Sequence, residues 1–298
     1  RRDRLRELLD ASAPGRRLIV SDLANVRYLT GFSGSNAVLV IAPQPEHDLL
    51  GTDGRYRDQV VSQTPDLPLV LDRETLAVTV DRAGAASYSV ESTMPVGDVE
   101  HLRDVHGLVE VCDGLVEQLR RIKEPDELAA LERASAVTAQ AFGALADEIR
   151  VGDTELGLAR RLEQLFGEFG AEDRAFDSIV GSGPHSAIPH HEPGLRRLEV
   201  GDLLVIDAGA RVEGYHADMT RTFVVGAPPT EWQAEIHAAV ARAQRAAALA
   251  CMTGAQARDV DAVARGIVDA AGFADAFTHG LGHGVGLQIH EAPIIGAR

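Results

Sequence analysis

The chain has 298 residues, enough for one large domain or two ordinary ones with a substantial core. Its 45% apolar and 25% charged residues exclude a disordered or collagen-like chain. Lys and Arg total 29 against 45 Asp and Glu, a net charge of -16, which argues against a groove that holds nucleic acid by its own positive field. The acidity has two sources to weigh: solubility, or local carboxylate clusters that hold metal ions. Cys112 and Cys251 are far apart and in no CxxC pattern, so neither a disulfide scaffold nor a thiolate zinc site is indicated. No apolar run approaches the roughly 20 residues that span a bilayer, and RRDRLRELLD leads into no signal-peptide core. The expectation is a cytoplasmic protein that engages neither membrane nor nucleic acid.

The elements fall into two textures. Up to about residue 115, short β-rich runs alternate with turns. Arg1 to Leu9 reads as a helix, Leu18 to Val20, Ala37 to Ile41 and Leu49-Leu50 as strands, and Arg55 to Val61 as a helix, together a small α/β domain. SDLANVRYLTGFSGSNA holds too many Gly, Ser and Asn for an element interior and is expected to wrap around a strand start. From Leu115 the helical signal strengthens. Leu128, Leu131, Ser135, Thr138, Phe142, Leu145 and Ile149 recur at helical spacing behind Pro125. Asp153 is placed to cap a second helix running to about Phe169. Thr230 and Gln233 open a long alanine-rich helix with a capping-box pattern, and Gly272 closes another that begins near Gln256. Strands are expected at Leu203 to Asp207 and Thr220 to Val225, and the domains are expected at 1–118 and 119–298.

In GDLLVIDAGARVEGYHADMTRTFVVG, Asp207 follows four apolar residues where a buried strand would continue with another. Asp218 stands eleven residues later, at the start of a second strand. A hairpin centred on Val212-Glu213 sets the two directly opposite, with Cβ atoms roughly 5 Å apart. Val-Glu is a poor two-residue turn, so Gly209 or Gly214 is a candidate bulge. Two such carboxylates repel and lose hydration unless protonated or compensated, and hard divalent cations compensate both. The alternative makes Asp207 a strand-end turn residue and Asp218 a cap.

Eight of the eleven histidines lie between 185 and 290. THGLGHGVGLQIHEAP interleaves His279, His283 and His290 with glycines, and Leu287 and Ile289 suggest a strand approaching His290. SGPHSAIPHHEP sets His185, His190 and His191 in a Pro- and Gly-rich loop. Singly, each histidine reads as an ordinary hydrogen-bonding residue. Beside two apolar-flanked aspartates, they point to a metal-dependent hydrolase.

These blocks resemble the pita-bread-fold metallopeptidases, the group of creatinase, prolidase and methionine aminopeptidase, and within it bacterial Xaa-Pro aminopeptidases and dipeptidases. SDLANVRYLTGFSGSNA and LLGTDGRY resemble the group's amino-terminal domain, and RIKEPDELAALERAS the start of its catalytic domain. FDSIVGSGPHSAIPHHEP, the Asp207–Asp218 segment and THGLGHGVGLQIHEAP resemble three successive active-site blocks. The resemblance implies an α+β chain, a small α/β creatinase-like domain followed by a catalytic domain with a curved antiparallel sheet. It implies two divalent ions, Mn²⁺ foremost with Co²⁺ or Zn²⁺ as alternatives. Asp207, Asp218 and His283 are then metal ligands, His190 and His290 catalytic histidines on the substrate side, and His279 part of the wall near the scissile proline. The implied reaction is hydrolysis of the bond before proline near a peptide N-terminus by a metal-bridging hydroxide, in a homodimer acting on short proline-containing peptides.

The group's further glutamates, from V-E-P-G and R-I-E-D blocks, do not occur in these residues and are expected beyond residue 298. The 298 residues alone would then hold three of five protein ligands and be inactive or weak in binding the second ion. Glu291, one residue from His290 and so on the opposite face of a strand, is not expected to substitute. Three rivals stand beside this reading. A methionine aminopeptidase generally lacks such an amino-terminal domain, and a creatinase-like amidinohydrolase works without metals. The third is a non-catalytic peptide-binding or scaffold module on a degenerate peptidase fold.

Overall fold

The computed structural model describes residues 1–85 and 87–297. Contacts divide it into two compact units, Arg1–Lys123 and Glu124 onward.

In the first unit the chain runs α1 (Arg2–Ser12), β1 (Arg17–Val20), α2 (Leu23–Thr30), β2 (Val38–Ile41), β3 (Leu49–Thr52), α3 (Arg57–Gln63), β4 (Leu69–Leu71), α4 (Thr75–Ala83), β5 (Ser87–Glu91), α5 (Val96–His106), β6 (Leu108–Cys112) and α6 (Leu115–Arg120). The strands form one six-stranded sheet in the order β4-β3-β2-β1-β5-β6. The β1–β2–β3 meander is antiparallel, and the β3–β4, β1–β5 and β5–β6 pairs are parallel, as helical crossovers require. Its central strands are apolar and buried on both faces: every residue of β2 is buried, as are Leu18, Ile19 and Val20. The segment expected to wrap around a strand start instead contains α2. Asp22 accepts from the Ala24 and Asn25 N–H groups at one end, and Gly31 closes the other at φ 82°. The caps, and burial of Val26, Tyr28 and Leu29, outweigh its polar composition.

The second unit continues with α7 (Pro125–Glu148), α8 (Glu155–Glu168), β7 (Asp173–Arg174), β8 (Ile179–Ser182), β9 (Leu203–Ala208), β10 (Ala210–Val212), β11 (Tyr215–His216), β12 (Met219–Val224), α9 (Glu231–Ala250), α10 (Ala257–Ala270), β13 (Gly282–Gly284) and β14 (Glu291–Ile295). All its strand pairs are antiparallel. The sheet β12-β9-β8 and the sheet β11-β10-β7 follow one another along the same hairpin, interrupted at Gly209. A Cβ on Gly209 would stand 1.7 Å from the Ala217 carbonyl oxygen, so only glycine lets the two strands approach there. Below the sheets, Phe142, Leu145, Leu158, Leu162, Leu165 and Phe166 of α7 and α8 meet Val180, Leu204 and Ile206 in one core.

Four local expectations are corrected. The buried stripe of α7 is Glu127, Ala130, Ala134, Thr138, Ala141, Phe142 and Leu145, whereas Leu128 and Ser135 are exposed. The stripe is rotated towards small residues, and Thr138 Oγ1 accepts the Ala210 N–H at 3.0 Å, which requires close approach of strand and helix. α8 is capped by Thr154, which accepts from Gly157 N, while Asp153 accepts from Arg150 N. The hairpin turns at Glu213-Gly214, with φ of 52° and 80°, so Asp207 pairs with Thr220 and not with Asp218. Two positive φ angles match the twist of the flanking strands, which a Val-Glu turn cannot supply. Finally, residues 285–290 form no strand; β14 begins at Glu291, after His290.

Candidate metal centre and active-site cleft

Asp207 is the fifth residue of β9, held among apolar neighbours by the β8–β9–β12 ladder. Its Oδ1 accepts from Thr220 Oγ1 at 2.7 Å. Asp218 lies in the break between β11 and β12, opposite the Gly209 interruption, and has no partner in the β9–β12 ladder. The two-residue shift in register leaves both carboxylates on the same side of the hairpin. Burial, and then the proximity of Asp218, push the Asp207 carboxyl above its ordinary range, against the bond from Thr220.

His283 sits in β13, paired with Ile294 of β14. Its Nδ1 donates to the Gly284 carbonyl at 2.9 Å, which leaves Nε2 as the ring nitrogen that faces Asp218 Oδ2, 3.3 Å away. The segment carrying the histidines is tied down from two sides. From α10, Arg265 donates to the Phe277 and His279 carbonyls, and buried Asp261 accepts the Leu281 N–H at 3.0 Å. From β11, the His216 backbone N–H and Nδ1 both donate to the Gly286 carbonyl, at 2.9 and 3.0 Å. His290 is exposed, with its ring edge-on to His283 at 4.4 Å.

All six residues named from the sequence, His190, Asp207, Asp218, His279, His283 and His290, line one open cleft of about 1470 Å³. Asp218 lies between two of them, beside Asp207 on one side and His283 on the other. The donor set fits divalent ions. A half-buried carboxylate raised by burial and by a second carboxylate gains from a nearby cation, and an imidazole with Nδ1 tied to a carbonyl is oriented to coordinate through Nε2. The 3.3 Å spacing of His283 Nε2 and Asp218 Oδ2 is what two ligands about 2.1 Å from one ion adopt. Glu291 is buried, and its Oε1 accepts the Gln288 N–H at 3.0 Å.

Glu155 was not legible as a site residue. A first-turn glutamate reads as a solvent-facing charge on the helix dipole, yet Glu155 has no exposed surface and gathers His185 and His191 around it. Among the described residues these three are the sole group of three potential ligands whose donor atoms all lie within 4.8 Å of one another.

An antiparallel two-part sheet carrying paired aspartates, preceded by a separate α/β unit, defines a pita-bread hydrolase with a creatinase-type amino-terminal domain. Residues 129–298 match the metallopeptidase family M24 and residues 1–122 the creatinase/prolidase N-terminal domain. The chain belongs to metallopeptidase family M24. It is 35% identical over 281 residues to the Xaa-Pro dipeptidase of Pyrococcus furiosus, covering 94% of this chain and 80% of that one. The structure of an Xaa-Pro dipeptidase from Bacillus anthracis superposes with a TM-score of 0.93 at 30% identity, covering 100% of this chain and 84% of that one. An X-Pro aminopeptidase from Thermotoga maritima superposes at 0.87 and 31%, covering 97% and 85%.

Proposed function

We propose that the protein is a metal-dependent exopeptidase that hydrolyses the bond before proline at a peptide N-terminus. Asp207, Asp218 and His283 hold the ions, and His190, His279 and His290 face the substrate. The observation that carries this reading is the row Asp207–Asp218–His283, with a shared carboxylate at its centre. Two carboxylates against one imidazole favour a borderline-hard ion such as Mn²⁺. Bound ions supply positive charge that polarises the scissile carbonyl and lowers the pKa of water. Asp218 balances that charge and fixes its position. His290, next to His283 and exposed to the cleft, donates to the carbonyl oxygen as negative charge develops there. His190, carried on the loop between β8 and β9, lines the same cleft and binds substrate from there. Proline has no N–H and a fixed ring, so recognition rests on the shape of the cleft and not on a strand-like ladder. The working form is a homodimer, and the two free cysteines suit a reducing cytoplasm.

The test compares Asp218→Asn and His290→Ala in the intact enzyme, by metal stoichiometry and cleavage of Xaa-Pro and Xaa-Pro-Xaa peptides. Asp218→Asn should lose metal and activity together. His290→Ala should keep its metal and lower kcat about 10²-fold with a smaller change in KM. Loss of metal on His290→Ala, or near-normal kcat, would refute the assignment.

A further inference from the structure

The carboxylate of Glu155 is wholly buried at the first turn of α8, yet the cleft chemistry above makes no use of it. Five donors converge on it. Oε1 accepts from Ser182 N and Ser182 Oγ, both at 2.8 Å, and from His185 Nδ1 at 3.0 Å. Oε2 accepts from His191 Nε2 at 2.9 Å and from Gly194 N at 3.3 Å. A carboxylate only accepts, so both imidazoles carry their proton on the nitrogen that faces it. Burial pushes this carboxyl up, but the bonds from His191, Ser182 and His185 outweigh it and hold it down at about 2.

Glutamate and two histidines are also a plausible set of ion ligands. Here the carboxylate has about four lone-pair positions and five donors already occupy them, so it has no vacant acceptor to offer a cation. The cluster is closed as a hydrogen-bonded anchor.

What it anchors is the segment from Ser182 to Gly194, which carries His190. His190 is exposed and lines the cleft, and it makes no hydrogen bond of its own among the described residues. Its neighbour His191 is pinned, its ring lying 4.3 Å from that of His185. The other side of the anchor is rigid: Leu156 N donates to the Gly194 carbonyl at 2.9 Å, and α8 is held in the core by Leu158, Leu162, Leu165 and Phe166.

We propose that Glu155 is a positioning residue, acting through His185 and His191 to set the place of His190 in the cleft. The proposal rests on the substrate-side reading of His190, and a misplacement of about 1 Å there is enough to cost about 10²-fold in rate. Glu155→Gln preserves the shape but turns one acceptor into an N–H₂ that faces a histidine N–H. His191→Phe removes one donor and keeps the ring against His185.

The experiment measures kcat, KM, metal content and melting temperature in the metal-loaded enzyme for Glu155→Gln and His191→Phe, each alone and combined with His190→Ala. Either variant alone should lower kcat/KM about 10- to 100-fold with metal content unchanged. In the His190→Ala background the same changes should lower it less than about twofold, because their effect passes through a side chain already removed. Equal losses in both backgrounds would overturn the proposal in favour of a merely structural role. One ion fewer per chain in Glu155→Gln would overturn it in favour of a metal site. Should Glu155→Gln fail to fold, the His191→Phe cycle decides alone. Failure of the substrate-side reading itself is seen separately, as near-normal kcat/KM in His190→Ala.

Discussion

Gly209→Ala tests whether the break in the hairpin builds the proposed metal centre. The added Cβ would stand 1.7 Å from the Ala217 carbonyl oxygen and 2.6 Å from its carbon. Carbon and oxygen approach to about 3.3 Å, so one strand must retreat by about 1.6 Å. Neither strand is free to do so: Ala217 N donates to Ala210 O at 2.9 Å, and the β9–β12 ladder begins at the next pair, Ala208 with Met219. Overpacking plus one disturbed hydrogen bond amounts to about 2–4 kcal/mol, or roughly 5–15 °C in melting temperature. The residue that moves is joined to Asp218, so metal binding should weaken and kcat/KM should fall about 10²-fold. The assay pairs thermal unfolding with metal content and turnover. Gly143→Ala serves as the control: this glycine lies in α7 with nothing within 4 Å of its Cβ position, and the change should stabilise by up to about 1 kcal/mol. A Gly209→Ala protein with parental melting temperature, metal content and kcat/KM would refute the argument.

Thr138→Val should destabilise the second unit by about 1–3 kcal/mol, seen by denaturant unfolding, because it orphans the buried Ala210 N–H that Thr138 Oγ1 now accepts. Thr138→Ser should restore most of the loss. Burial pushes the Glu91 carboxyl up to about 7, even with Ser21 N, Asp22 N and Asn25 Nδ2 donating to it. Its protonated form is favoured on folding, so its contribution is fully present below the unfolded pKa near 4.5 and is lost as pH rises through about 7. The change is worth up to about 3 kcal/mol. Glu91→Gln should flatten that part of the stability–pH curve, and an unchanged slope between pH 5 and 7 would count against it.

Most of the elements are legible in the sequence because their signals are local. The capping box of Thr230 and Gln233, Pro125 in a first turn and the apolar run before Asp207 each act within a few residues. The candidate site is legible for a different reason. A carboxylate placed after four apolar residues, and histidines among glycines, are residue types that an ordinary core would not choose. Where the reading failed, distant contacts outweighed local pattern. α2 forms despite its polar residues because its caps and buried face repay them. α7 turns Ala130 and Ala134 inward, not Leu128, because β10 needs room against the helix.

By itself, then, the sequence determined the two-part α+β organisation, the family, and the residues that meet in the cleft. Tertiary structure decided the register. A turn at Glu213-Gly214 pairs Asp207 with Thr220, and Asp218 reaches Asp207 only because the strand breaks opposite Gly209. It also decided the surroundings of Glu155, since the five donors around that carboxylate come from residues 27 to 39 positions away. Spacing and periodicity report neighbours along a helix or strand. Which carboxylate is buried, and what it accepts from, depends on chain segments that meet only when the core closes.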